Sequence, residues 1–407
     1  MSNLDNYKSD TLMLIVGSNP LPNYVAAMLL AKDNARLVLI HTDKTERFAH
    51  RIYDLVKAKR PGLRNPAFVE ICEANRSRII DALNDQLTPL IKERPNDVIG
   101  LNYTGGTKAM AAHTFDWVKN NVKAPVFSYL DSRTFQMFID KKDDKVSSKA
   151  FPALESVKVS IPELMQLHDD FEYQKINDNI KKYPQFADAS EDMFEFMKDN
   201  HEIWRLWCNK NLKRTDGRFI SDGALKKAIL PEGYMRKPFQ FLSVGDEVTK
   251  LADAAKECDT DAKKLAGWLD GKWLEDYVLK CVTEIAEECG ITDYCRNIDV
   301  NEPKNFEFDV AFMKGYQIFG LSCTTSYDKG LCKSKLFEAY IRTHQMGGDE
   351  ARTALVCFYK DSLVLQNELE KQWEAKNKIK IFGRDKIFDL KEELKRWIFN
   401  VGEIKDE

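Results

Sequence analysis

Two short stretches of this chain carry residues that could grip an anion. VGSNPLPN (16–23) and LNYTGGTKAMA (101–111) each follow an apolar run and hand over to a helical pattern. Gly105 and Gly106 carry no side chain to hold a ligand away from the backbone. Thr107 is placed to cap the following helix, whose free N–H groups favour negative charge, and Lys108 adds a positive one. A tight turn with a helix cap accounts for a bare GGTK equally well. Neither GxxxxGK[ST] nor GxGxxG occurs, which excludes a Walker loop and the usual dinucleotide fingerprint. Further on, two carboxylates sit among apolar neighbours. Glu275 in GKWLEDYV borders the apolar stripe of a helix, and Asp309 in FEFDVAF lies within an apolar strand, with Glu307 on the same face. Such a carboxylate is either a paired structural group or a working one. The nine cysteines form no CxxC pair and the six histidines show no ligand spacing, which argues against a disulfide framework and a closed zinc site.

The elements that must position these residues follow from hydrophobic periodicity. LMLIVG (12–17), RLVLIH (36–41), AFVEIC (67–72), DVIGLNY (97–103) and VFSYL (126–130) read as strands, and 23–31, 44–58, 76–93 and 107–121 as helices between them. FQMFID (135–140) closes the region as a hairpin. Repeated βα units imply a mostly parallel sheet, so residues 1–150 read as a Rossmann-like domain. Both glycine-bearing or loop-forming stretches then fall at the carboxyl edge of that sheet, where such folds bind ligands. Residues 151–266 are helix-rich and scattered with basic side chains, including Arg205, Lys213, Arg236 and Lys237. They read as a helical connector, or alternatively as a basic lining for nucleic acid. Residues 267–407 form a third region: a helix at 272–288, strands at 293–300, 306–313 and 316–323, a helix at about 333–346, a strand at 353–359, and a final strand and helix. The fold class is therefore α/β.

Composition adds limits. The 407 residues are 43% hydrophobic and 31% charged with a net charge of −3, so any nucleic-acid site must be a local groove rather than a global field. No apolar run approaches the roughly 20 residues that a bilayer requires, and no export signal opens the chain, so a cytoplasmic protein without membrane partners is expected.

LNYTGGTKAMA together with VGSNPLPN resembles the CRISPR-associated Rossmann-fold (CARF) domain over about the first 150 residues. The resemblance implies a sensor of the cyclic oligoadenylates made by type III CRISPR complexes. It places Gly17, Ser18, Asn19, Pro20, Leu21, Asn102, Tyr103, Thr104, Gly105, Gly106, Thr107 and Lys108 around the ring. It also implies a homodimer, because a cyclic tetra-adenylate has internal symmetry that a two-fold pair of identical loops can match. The C-terminal order of elements resembles the core of PD-(D/E)xK nucleases, and the whole chain is similar to CARF-fused nucleases activated by such rings. That likeness implies hydrolysis of DNA or RNA with Mn²⁺ or Mg²⁺, held by Glu275, Asp309 and the backbone carbonyl of Cys323.

One departure stands out against that family. The strand that should end in Glu-x-Lys reads Ser322-Cys323-Thr324. In one reading the missing groups have moved to the next helix, where Lys333, Lys335, Glu338 and Arg342 lie and the last three share a face. Glu275, Asp309, Lys335 and Glu338 would then be catalytic. In the other, catalysis is lost and the C-terminal domain only binds nucleic acid or a partner under control of the ring. A third reading, Cys323 as nucleophile, lacks a histidine nearby in sequence.

Overall fold

The computed structural model describes residues 4–141, 149–168, 173–176, 184–300 and 306–400. Their N-terminal part builds a seven-stranded sheet from β1 (Ser9–Ile15), β2 (Ala31–His41), β3 (Ala67–Glu70), β4 (Ile99–Asn102), β5 (Val126–Asp131), β6 (Gln136–Lys141) and β7 (Lys149–Pro152). The strands lie in the order β3-β2-β1-β4-β5-β6-β7, the first five parallel and the last two antiparallel. Helices α1 (Leu21–Leu30), α2 (Glu46–Lys59), α3 (Arg76–Glu93) and α4 (Lys108–Asn121) connect the parallel strands. The apolar runs are continuous because both faces of the sheet are covered. Leu12, Leu14, Leu37 and Leu39 enter one core with α1 and α2, while Met13, Ile15, Val38 and Ile40 enter the other with α3 and α4. Strand order reverses between β1 and β4, so the loops leaving these two strands flank a crevice.

A second, six-stranded sheet runs β13-β12-β11-β10-β9-β8, with β8 (Tyr173–Ile176), β9 (Ile291–Val300), β10 (Phe306–Lys314), β11 (Gln317–Thr324), β12 (Arg352–Cys357) and β13 (Ile379–Phe382). β9, β10 and β11 are antiparallel neighbours, whereas β11, β12 and β13 are parallel. The long helices around it are α6 (Pro184–Asn211), α7 (Trp273–Cys289), α8 (Lys329–Gly347), α9 (Ser362–Gln372) and α10 (Leu390–Phe399), with α5 (Ile161–Leu167) against the first sheet.

Much of the segment expected to be a connector packs against the C-terminal unit. Met193, Phe194 and Trp204 of α6, and Leu265 and Ala266 after it, share one core with Trp273, Val278, Phe312 and Phe319. Aromatic burial on this scale makes these helices a layer of the C-terminal unit. Three of their basic residues are engaged locally: Lys213 pairs with Asp270 at 2.7 Å, Arg205 donates to Thr325 Oγ1 at 2.6 Å, and Arg236 donates to the Gly245 carbonyl at 2.7 Å. The two units also share a core. Ala311, Met313, Tyr316, Ile318 and Met346 pack with Leu12, Tyr24 and Leu39, so the second sheet rests directly on the first unit. Among the described residues no helix is long and apolar enough to cross a membrane.

Candidate functional site

At the first sheet's carboxyl edge, the loops after β1 and β4 interlock backbone to backbone. A Cβ on Gly17 would lie 2.8 Å from the Gly106 nitrogen, and one on Gly105 would press on the Ile15 carbonyl oxygen. Gly106 has φ +76°, a conformation that only glycine adopts freely. Buried side chains brace the pair. Asn23 donates to the Ile15 carbonyl at 3.0 Å, and Asn102 donates to Ser128 Oγ at 3.1 Å while accepting from the Thr104 amide at 3.3 Å. Thr107 caps α4 as expected, accepting from the Met110 amide at 3.2 Å, and donates to the Glu73 carbonyl at 2.6 Å.

Two cavities open on this platform. The larger, about 650 Å³, is lined by Tyr103 to Lys108, Ala111, Ala112, Phe115 and Tyr129. A smaller one of about 240 Å³ is lined by Gly17, Ser18, Asn19, Thr104, Gly105 and Gly106 with Tyr129, Leu130 and Ser132, and by Asp349 and Glu350. Nine of the expected ligand residues therefore face one cavity or the other. Pro20, Leu21 and Asn102 do not: all three are buried, the first two under the α1 entrance and Asn102 as an internal brace. Tyr129 was not foreseen, although strand alternation in VFSYL aims it away from its buried neighbours Ser128 and Leu130. It is 39% exposed and lies 5.6 Å from the Tyr103 ring, forming an aromatic platform between the cavities. Asp349 and Glu350 carry no local signal, being more than 200 residues from either loop.

The second cluster lies at the far end of β10 and β11. Asp309, 8% exposed, accepts from Ser322 Oγ at 3.0 Å and from the Cys323 amide at 2.6 Å, both on one carboxylate oxygen. Burial pushes its pKa up, against the pull of the Cys323 amide, Lys335, Ser322 and Lys272. Glu275, 9% exposed in the first turn of α7, is close enough for its charge and that of Asp309 to act together on Cys323. Ser322 and Cys323, standing where Glu-x-Lys was expected, thus hold Asp309 in place. The Cys323 thiol is buried and its pKa driven well above the ordinary value, chiefly by burial and then by Asp309 and Glu275, so it is no nucleophile at neutral pH.

Of the α8 candidates, Lys335 faces this cluster, its charge felt at Asp309 and Cys323. Lys333 instead pairs with Glu368 at 3.1 Å, and Arg342 donates to Gln345 at 3.1 Å. Glu338 is exposed, and among the described residues no three His, Cys, Asp or Glu side chains converge on a metal position, so it does not complete a set with Glu275 and Asp309. Lys272, next to the helix start, is a second lysine at the cluster that sequence reading missed. Beside Glu275, Asp276 is buried against Arg296 and accepts from Trp268 Nε1 at 3.0 Å, a structural role. The donor set fits a hard, hydrated divalent ion, which is held by one or two carboxylates and keeps several waters.

Residues 11–155 match the family model described as the Card1 CARF domain. No curated protein matches the sequence. The chain is similar in structure to Can2 from Sulfobacillus thermosulfidooxidans in complex with cyclic tetra-adenylate, at 15% identity and a TM-score of 0.67, over 96% of this chain and 99% of that one. It is similar to protein VC1899 from Vibrio cholerae at 15% identity and a TM-score of 0.65, over 96% and 98%. A type III CRISPR defence DNA nuclease activated by cyclic oligoadenylate matches at 17% identity and a TM-score of 0.51, over 86% of this chain but 46% of that one. At such identities these likenesses speak to the fold: a CARF-type first sheet joined to a second.

Proposed function

We propose that this protein is a cyclic-oligoadenylate-activated, metal-dependent nuclease of type III CRISPR defence, acting as a homodimer. The observation that carries the sensing half is the glycine-interlocked platform at the β1/β4 crevice, inside the stretch that matches the Card1 CARF domain. Gly105, Gly106 and the α4 start offer backbone N–H groups to phosphate, and Tyr103 and Tyr129 offer ring faces to adenine. A ring of four adenylates has room for two such platforms related by a two-fold axis. That 86% of this chain covers 46% of the matching type III CRISPR defence DNA nuclease fits one such chain holding two units of this size.

The effector half rests on Asp309, Glu275 and Lys335. A bound Mn²⁺ or Mg²⁺ would polarise the scissile phosphate and make a water acidic enough to attack. Asp309 and Glu275 would hold it with the Cys323 carbonyl, while the Ser322 hydroxyl and Cys323 amide keep the Asp309 carboxylate oriented. Lys335 would hold the attacking water and offset charge on the phosphate, taking the part of the lysine missing from the strand. Glu338 has no part in this.

One observation favours a second reading, in which the C-terminal unit only binds. Asp309 has one oxygen fully engaged by Ser322 and Cys323, a pattern that a purely structural carboxylate would also show. Incubation with single- and double-stranded DNA and RNA, each ring size and Mn²⁺ separates the two. Ring-dependent cutting by the wild type, lost in Asp309→Ala with ring binding kept, supports the nuclease. Ring binding with no cutting of any substrate favours the regulator.

A further inference from the structure

The smaller cavity has a wall that the first unit does not supply. The turn Gly348–Glu350, which joins α8 to β12 of the C-terminal unit, closes it with Asp349 and Glu350. Contact is close: Gly348, at φ +62°, lies directly against the Asn19 side-chain amide of the β1 loop. The exposed Asp349 and the buried Glu350 therefore border the place where an anionic ring would put its phosphates.

That turn is tied rigidly to the acidic cluster. Gln317, at the start of β11, donates to the Glu350 carbonyl at 2.7 Å, and Arg352, at the start of β12, donates to the carbonyls of Asp349, Glu350 and Ala351 at 3.2, 3.1 and 2.9 Å. Upstream, α8 packs so tightly on β11 that a Cβ on Gly347 would strike Ile318, and one on Gly320 would strike Thr343. The same helix carries Lys335, and β11 ends at Ser322 and Cys323. From Gln317 to Cys323 the strand spans about 20 Å.

Building on the proposed sensing role, we infer that the acidic turn Gly348–Glu350 is the lever of activation: an anionic ring in the β1/β4 crevice repels Asp349 and Glu350, and the turn carries α8 and β11 with it. Lys378 offsets Asp349 through a 2.6 Å pair and Arg352 sits beside the buried, partly ionised Glu350, so the repulsion comes from the two carboxylates together and only from the charge these cations leave. The free energy spent on moving the turn is lost from binding and appears as a shift at Lys335 and Asp309. Removing the charges must then tighten binding and weaken activation together.

The probe is cyclic tetra-adenylate, titrated calorimetrically into the full-length wild type and into the Asp349→Asn/Glu350→Gln double variant, with cleavage at saturating ring measured in parallel. A single Glu350→Gln variant guards against misfolding of the double one. From the screened Coulomb interaction over several ångströms, the double variant should bind roughly three- to tenfold more tightly while its ring-stimulated cleavage falls. Wild-type binding with unchanged or weaker binding by both variants overturns the lever and leaves the sensing role intact. Absence of binding by the wild type overturns the sensing role, and the lever with it.

Discussion

Glu350 offers a prediction whose size follows from the structure. Its side chain is 3% exposed, and burial lifts its pKa from an ordinary 4.5 to about 7, with Asp349 adding to the rise and Arg352 and Lys378 opposing it. A carboxyl with a raised folded pKa contributes stability that is complete below 4.5 and is lost as pH climbs through about 7. At about 1.4 kcal/mol per pH unit, the whole loss is about 3 kcal/mol. Glu350→Gln keeps the shape and removes the titration. Urea unfolding followed by circular dichroism between pH 5 and 8 should show the wild type losing about 2.5 kcal/mol more than the variant across that interval, the rest of the loss falling below pH 5. Parallel profiles for the two proteins would refute the burial argument for this turn.

Other substitutions probe the platform and the C-terminal core. Gly105→Ala should abolish ring binding and lower stability by about 1–3 kcal/mol, since the new methyl meets the Ile15 carbonyl and the Asn23 side chain; calorimetry and thermal unfolding check this. His201 is buried, stacks on Phe358 with centroids 4.0 Å apart, and has a pKa lowered to about 4, chiefly by burial. Its depressed pKa means stability present above 6.5 and lost as pH falls toward 4, so His201→Gln should flatten the acid limb of the unfolding profile. Lys335→Met should cut ring-stimulated cleavage at least tenfold without changing the affinity for the ring, as read from initial rates and titration.

Much of this architecture is legible where local pattern and burial coincide. LMLI predicts a strand buried on both faces, and its residues do alternate between two cores. The GGTK turn, with its cap at Thr107, follows from glycine freedom and capping chemistry alone. The packing of residues 186–266 is less legible because their polar surface interrupts the apolar stripes. What makes them core is tertiary: Trp204 donates to the Leu269 carbonyl at 2.9 Å across 65 residues, and Phe186 stacks on Trp268. Likewise, equal spacing on a helix face could not tell Lys335 from Glu338, because only the packing of α8 on β11 decides which charge is felt at Asp309. The seat of Asp349 and Glu350 beside Asn19 depends on how two sheets dock, which no short stretch encodes.

The most direct test of the account is the stoichiometry of ring binding. Titration of cyclic tetra-adenylate into the full-length protein should release heat that saturates at one ring for every two chains, with the complex running as a dimer in sedimentation. No heat with any cyclic oligoadenylate, or saturation at one ring on a monomer, would contradict it.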